Sequence, residues 1–284
     1  MGTSGSGKGS PPTAPLIPTW INDAPVGPLL PFTPPAPPAA PLPSAPSAAP
    51  RPLPPIPDPP PGQRFRSPRT QFTRFINGGD SSNLGKALAG YVSGGTGGAR
   101  RAAQRMAPSR RAASGVVQFF RDVEQRGVAD ALRIRNLDAL VDRPTAEVFL
   151  QLVDLFCPQG GPIDEAIARD AMIETIAEFS STTDQIAPMS PDQLKEFMID
   201  FVSRSIEARV THEVGTHMIS LPDDVAAVQN IATQLHDFVS RCVTDAFETP
   251  NKPIGQYTDR EITTMIDQLY EAALSIVISE GEAS

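Results

Sequence analysis

From about residue 112 onward, apolar positions recur at three- and four-residue spacing, the period of helices that turn one face to a core. Val116, Val117, Phe119, Phe120 and Val123 open one such stretch, and Val128, Ala131, Leu132, Ile134 and Leu137 carry it past Gly127. Pro144 reads as a first-turn residue before an apolar run over 146–156, short enough for a buried helix. Pro162 opens a further run through Ile163, Ala166, Ile167, Ala171, Met172, Ile173, Ile176, Ala177 and Phe179. Ser190-Pro191-Asp192-Gln193 is a capping box with proline at the first helical position, leading into Leu194, Phe197, Phe201 and Ile206. Leu221-Pro222-Asp223-Asp224 starts a long helix through Val225, Leu235, Val239 and Phe247. Thr258-Asp259-Arg260-Glu261 caps another, with Ile262, Ile266, Leu269, Tyr270, Ala273 and Ile276 on its apolar side.

No hairpin signal interrupts these runs, so the pattern predicts an all-α fold: one helical domain over residues 112–284, long enough for its own core. Upstream the pattern stops. Of 32 prolines, 23 fall in residues 11–68, a density that removes amide donors and favours extended polyproline II. Residues 1–75 are therefore expected to form a long disordered, Pro-rich N-terminal tail, mobile in the isolated protein. Residues 76–111, with Gly78-Gly79 and Gly94-Gly95-Thr96-Gly97-Gly98, are expected to form a basic, Gly-rich arm.

Charge sharpens this division. Residues 51–111 hold 11 Lys/Arg against Asp58 and Asp80, whereas 112–284 hold 12 basic against 29 acidic side chains. The overall charge of −8 hides a basic segment joined to an acidic body. The segment has two readings. Arg100, Arg101, Arg105, Arg110 and Arg111 contact nucleic acid or an acidic partner. Alternatively they form a solvated linker, or neutralise the chain's own acidic body.

Candidate chemistry is sparse. Gly2-x4-Gly7-Lys8 imitates the start of a P-loop, but Gly9 replaces the Ser or Thr, and Pro11-Pro12 follow where a helix is needed. His212-Glu213-x3-His217 resembles a zinc motif, yet histidines five apart on a helix point about 140° from each other. His236 reads as a boundary residue, and the acidic pairs Asp164-Glu165 and Asp223-Asp224 read as helix-start carboxylates. Cys157 and Cys242 read as buried reduced thiols, a disulfide between them being the alternative. The expectations are no catalytic residue, no metal, no cofactor and a non-enzymatic role. The competing enzyme reading needs a pocket joining His212, His217 and an acidic cluster. No apolar stretch reaches the roughly 18–20 residues of a membrane span, and there is no signal-peptide core, so a cytoplasmic location without membrane contact is expected.

The N-terminal segment is different. Removal of Met1 exposes the α-amine of Gly2, an unhindered nucleophile with a pKa near ~8. Thr13-Ala14-Pro15-Leu16-Ile17-Pro18-Thr19-Trp20-Ile21 concentrates the sole tryptophan with branched aliphatics, as a short linear motif would. Trp20 either anchors in a partner's pocket or folds back on the helical domain.

These residues resemble a known family. Met1-Gly2-Thr3-Ser4, the Gly/Ser patch and the Thr13–Trp20 motif are similar to the B component of the Qat anti-phage defence system. The likeness continues in Ser82-Asn83-Leu84-Gly85-Lys86-Ala87-Leu88-Ala89-Gly90-Tyr91-Val92 and Ala99-Arg100-Arg101-Ala102-Ala103. It extends to Glu165-Ala166-x2-Arg169-Asp170-Ala171-x2-Glu174-Thr175 and to Tyr270-Glu271-x-Ala273. The resemblance implies three partners: a P-loop ATPase, a QueC-like enzyme and a TatD-like nuclease. It further implies that this chain is adaptor and protein substrate, the QueC-like partner joining a 7-deazaguanine to Gly2 as a covalent adduct. Thr3, Ser4, Leu16, Ile17, Pro18 and Trp20 would then be the partner-binding residues. The acidic body, net −17, suits a positively charged partner surface, most simply that of the ATPase. The alternative function is a DNA-binding adaptor whose basic arm delivers nucleic acid to the nuclease.

Overall fold

The computed structural model describes residues 64–161, 163–180, 189–215, 224–247 and 252–284. All of these belong to one unit, Pro57–Ser284, and the described residues contain helices and no strand. Seven of the helices stand where the apolar period places them: α4 (Ala107–Arg126), α5 (Val128–Arg133), α6 (Thr145–Phe156), α7 (Ile163–Ser180), α8 (Pro191–Gly215), α9 (Val225–Ala246) and α10 (Asp259–Ala283). Their starts use the expected caps. The Ser190 hydroxyl accepts from the Gln193 amide at 3.2 Å while Gln193 Oε1 accepts from the Ser190 amide at 2.9 Å. Thr258 and Glu261 close the reciprocal box on α10, and Asp224 caps α9 through the Ala226 amide. Pro144 is the exception, standing at the N-cap of α6, one position before the first turn.

Helix α10 is the axis of the domain. Ile262, Ile266, Leu269, Tyr270, Ala273, Leu274 and Val277 bury its length, and it packs against α9 and α4. On the far side of α4, helices α6, α7 and α8 close the core with a chain of edge-to-face rings, Phe149–Phe179–Phe197–Phe120. Such ring pairs add about 0.5–1.5 kcal/mol beyond the area they bury.

The domain begins earlier than the charge pattern suggests. Three more helices, α1 (Arg66–Ile76), α2 (Ser81–Gly90) and α3 (Ala99–Arg105), occupy the segment assigned to the end of the tail and to the arm. The boundary expected at 75 falls inside α1, and the one at 111 inside α4. The physical reason is a face concealed by its neighbours in sequence. Among the arginines and threonines of α1, Pro68, Phe72, Phe75 and Ile76 line up on one buried side. Helix α2 is built of small residues, and its Leu84, Gly85, Ala87, Leu88 and Ala89 are buried against α1 and α10.

Glycine here permits close approach and is not a sign of a loose arm. A Cβ on Gly281 of α10 would stand 2.1 Å from the Gly85 carbonyl oxygen and 2.7 Å from the Ala89 Cβ. Gly281→Ala is therefore expected to force α2 off α10 and cost about 1–3 kcal/mol, the usual penalty of overpacking. Urea unfolding checks this, and an unchanged midpoint would contradict the close contact. Backbone freedom is needed in this segment at Gly78, with φ of +91°, and in the turn after the π-helical turn Tyr91–Gly95, where Gly97 and Gly98 have φ of +86° and +104°.

Candidate functional site

Three of the five arginines singled out in the basic segment are engaged by carboxylates of the same chain. Arg110 bonds Asp267 of α10, Arg100 pairs with Glu271 of the same helix at 3.2 Å, and Arg111 reaches Glu165 of α7 at 3.3 Å. Arg101 lies against Gly97, and Arg105 is half-buried. Three of the five thus neutralise the acidic body, the second of the two readings open from sequence. The Arg100 pair is exposed, 75% and 42% for the two side chains, so its contribution to stability is about 0–1 kcal/mol; its role is to seat α3 on α10.

Three polar networks tie the helices together, and sequence periodicity gave no sign of them. In the first, Asp122 of α4 is buried and accepts from Arg121 Nη2 at 2.7 Å and from Arg135 Nη2 at 2.8 Å. Arg121 also donates to Asp259 and the Tyr257 carbonyl, and the Arg135 guanidinium lies 5.2 Å from the centre of the Phe119 ring. In the second, Tyr91 donates to Glu213 Oε2 at 3.2 Å, while Arg209 stands 2.6 Å from Glu213 Oε1 and bonds Asp164 of α7. Burial, with the Glu213 carboxylate beside it, pushes the Tyr91 phenol well above its ordinary value. In the third, Arg204 bridges Asp200 and Glu174, and Thr175 donates to Asp200 at 2.6 Å.

These networks absorb the residues that looked like chemistry. Glu213, the acid of the zinc-like motif, is a strut between α8 and Tyr91, and His217 lies outside the described residues. Asp164 and Glu165 do stand in the first turn of α7, as expected, but each also holds an arginine of another helix. Both cysteines are free and buried, burial raising the Cys157 thiol to about 12 and the Cys242 thiol to about 11, so neither is a thiolate near neutrality. The Ser205 and Tyr270 hydroxyls pair at 2.8 Å inside the core with no histidine among their hydrogen-bond partners. An open cleft of about 630 Å³ between the start of α2 and α9 is lined by Ser81, Leu84, Asp237, Phe238, Arg241 and Asp245. It contains no histidine or cysteine. Among the described residues no group of three His, Cys, Asp or Glu side chains is placed to hold a metal ion, and no helix is long and apolar enough to cross a membrane.

His236 has a pH-dependent role visible in the fold. Its Nδ1 is 2.9 Å from Glu207 Oε1 across the α8–α9 seam, with Arg204 and Asp200 nearby. The hydrogen bond to Glu207 raises the imidazole pKa above its ordinary value. A raised folded pKa means the contribution is full below the unfolded value of about 6.5 and fades as pH rises through the folded one. His236→Ala should therefore lower the unfolding midpoint at about pH 5.5 more than at about pH 9, relative to the parent chain at each pH. An equal loss at both would assign His236 a packing role only.

Gly2, Thr3, Ser4, Leu16, Ile17, Pro18 and Trp20 lie outside the described residues. What is described has the character of a scaffold. Its helices are cross-tied by arginine–carboxylate pairs, and several of the residues that carry the family resemblance are tie points. Arg169 takes Asp154 at 2.6 Å and the Cys157 carbonyl at 2.8 Å, Glu174 takes Arg204, Thr175 takes Asp200, Tyr270 takes Ser205 and Glu271 takes Arg100. The chain belongs to the family of the Qat anti-phage system associated protein QatB, whose model matches residues 97–277. It is accordingly a component of the Qat anti-phage system. No curated protein and no solved structure matches it.

Proposed function

We propose that this chain is a non-enzymatic adaptor of the Qat system and the protein substrate of a QueC-like partner. In this reading the partner activates a 7-carboxy-7-deazaguanine as an acyl-adenylate. The Gly2 amine attacks the acyl carbon, AMP departs with the bonding electron pair, the nitrogen loses a proton, and an amide remains. The reading is carried by one observation: Gly2, beside Thr3 and Ser4, precedes the first described helix by 64 residues, while the tie-point residues of the domain are engaged in holding helices. A glycine amine has no side chain to clash in a narrow site, and the length of chain behind it lets it enter one. The acidic helical domain is the platform for the other components, the P-loop ATPase first.

The alternative, DNA delivery to the TatD-like nuclease by Arg100, Arg101, Arg105, Arg110 and Arg111, has against it that Arg100, Arg110 and Arg111 hold carboxylates of the same chain. Intact mass of the chain expressed with and without the QueC-like partner tests the proposal. A mass gain mapped to Gly2 is expected only with the partner. Unmodified Gly2 in the presence of active partner and nucleobase precursor would remove the substrate role.

A further inference from the structure

We propose that the outer face of α1 binds the phosphate backbone of a nucleic acid. Between Arg64 and Arg111 the chain has ten Lys/Arg and one acid, Asp80. The structure separates these cations into two groups. Those of α3 and α4 include Arg100, Arg110 and Arg111, each held by a carboxylate of α7 or α10. Those of α1 are not held: among the described residues no carboxylate pairs with Arg66, Arg69 or Arg74. Asp80, the one acid between Arg64 and Arg111, is turned into α2, where its Oδ1 accepts from the Asn83 amide and side chain at 3.2 and 2.9 Å.

Geometry places these cations along one line. Arg66, Thr70 and Arg74 follow each other at four-residue steps, so they share a face, with Arg66 and Arg74 about 12 Å apart along the axis. That face is exposed together with Ser67 and Thr73, while Pro68, Phe72, Phe75 and Ile76 anchor the opposite side in the core. Arg69 stands at the edge of the face, its guanidinium 5.8 Å from the Phe65 ring centre and its buried Nε without a hydrogen-bond partner.

A polyphosphate suits this face better than an acidic protein does. No apolar side chain of α1 is exposed, so the face lacks the aromatic or aliphatic anchors that give a protein interface its affinity. What it offers is guanidinium with small polar side chains between, the groups that contact nucleic-acid phosphates. The chain's net charge of −8 confines any polyanion to this face. A polyanion is repelled by the acidic body and held only where positive charge is unpaired, and charges beyond about 8 Å are screened at physiological salt. This inference does not depend on Gly2 or its modification.

The test uses the full chain and a fluorescent duplex DNA of arbitrary sequence, titrated at several salt concentrations. Each phosphate contact contributes roughly 0.9 to the slope of log K against log salt. Arg66→Gln with Arg74→Gln should therefore weaken binding at least about tenfold at low salt and lower the slope by about 2. Both residues are exposed, so folding is preserved, and adding Arg69→Gln should lower the slope by about one more. Arg100→Gln with Arg111→Gln, which removes only internally paired charge, should change binding less than about twofold. The proposal is overturned if the parent chain does not bind duplex at low salt, if the Arg66/Arg74 variant binds as the parent does, or if the paired-arginine control loses as much. It is also overturned if polyglutamate competes as well as DNA of equal charge, since the face would then read charge alone.

Discussion

Replacing Gly2 by leucine is expected to leave Met1 in place and to abolish the N-terminal adduct completely, in cells that also contain an active QueC-like partner. Two physical effects act together. A bulky second residue blocks removal of the initiator, so the α-amine belongs to methionine, whose side chain would clash in a narrow site that suits glycine. Chain length does not limit the proposed reaction. Gly2 to Trp20 is 18 residues, up to about 60 Å when extended, and Gly2 to the first residue of α1 is 64, up to roughly 200 Å. The amine can therefore enter a deep site while the Leu16–Trp20 segment is held outside it and the domain stays on another partner. In that arrangement Trp20→Ala lowers the rate of encounter by about 10–100-fold, the loss of one buried aromatic anchor, and leaves the product unchanged. Intact mass and peptide mapping distinguish the outcomes. An adduct on Gly2→Leu chains would exclude the N-terminal amine, one on Lys8 would move the acceptor but keep the tail, and an unchanged rate for Trp20→Ala would leave the apolar motif without this role.

What the sequence made legible, and what it concealed, follows from how each signal is carried. Helices α4 to α10 announce themselves because their buried residues are Val, Ile, Leu and Phe at helical spacing, with Ser190 and Thr258 marking the starts. Helices α1 to α3 do not, for opposite reasons. The core face of α1 is only four residues set among arginines, and α3 and much of α2, around its Leu84 and Leu88, are buried through Gly and Ala, whose small size reads as flexibility in a sequence and as close packing in a fold. Helix α7 is legible as a helix but not in its buried face: Ile163 and Ile173 are exposed while Ile167 and Met172 are buried, so its apolar residues lie all round it. The ion pairs were the least legible. Asp122 and Arg135, or Tyr91 and Glu213, are unremarkable until the fold brings them together, and Glu213 in particular is read as half of a zinc motif when only its neighbours in sequence are seen. The net charge of the basic segment was correct but ambiguous, because it cannot say which arginines are held by the chain's own carboxylates.

Asp122→Ala is expected to be the most destabilising single change in the polar networks, by about 3–5 kcal/mol. Asp122 is 6% exposed, and the side chains of Arg121 and Arg135 are each 13% exposed, so its removal strands two guanidinium groups with little water to replace the carboxylate. Arg121 retains Asp259 and the Tyr257 carbonyl, but Arg135 is left with the Ala131 carbonyl and the face of Phe119. The strain falls on the junction of α4, α5 and the start of α10, which suggests early exposure of Leu132 and Phe119 in denaturant. Asp122→Asn provides a folded intermediate case: it still accepts a hydrogen bond from one arginine without the charge, and should cost less than the alanine change. The sign of a second experiment separates a buried ion pair from simple packing. Adding Arg135→Met to Asp122→Ala removes the stranded charge and should recover part of the loss, because an apolar replacement of both partners avoids the desolvation that the single change leaves uncompensated. Guanidinium chloride unfolding of the parent, Asp122→Ala, Arg135→Met and the double variant measures the coupling. A strictly additive double variant, or an Asp122→Ala cost below about 1 kcal/mol, would mean that water reaches this network and that it orients α5 without stabilising the fold.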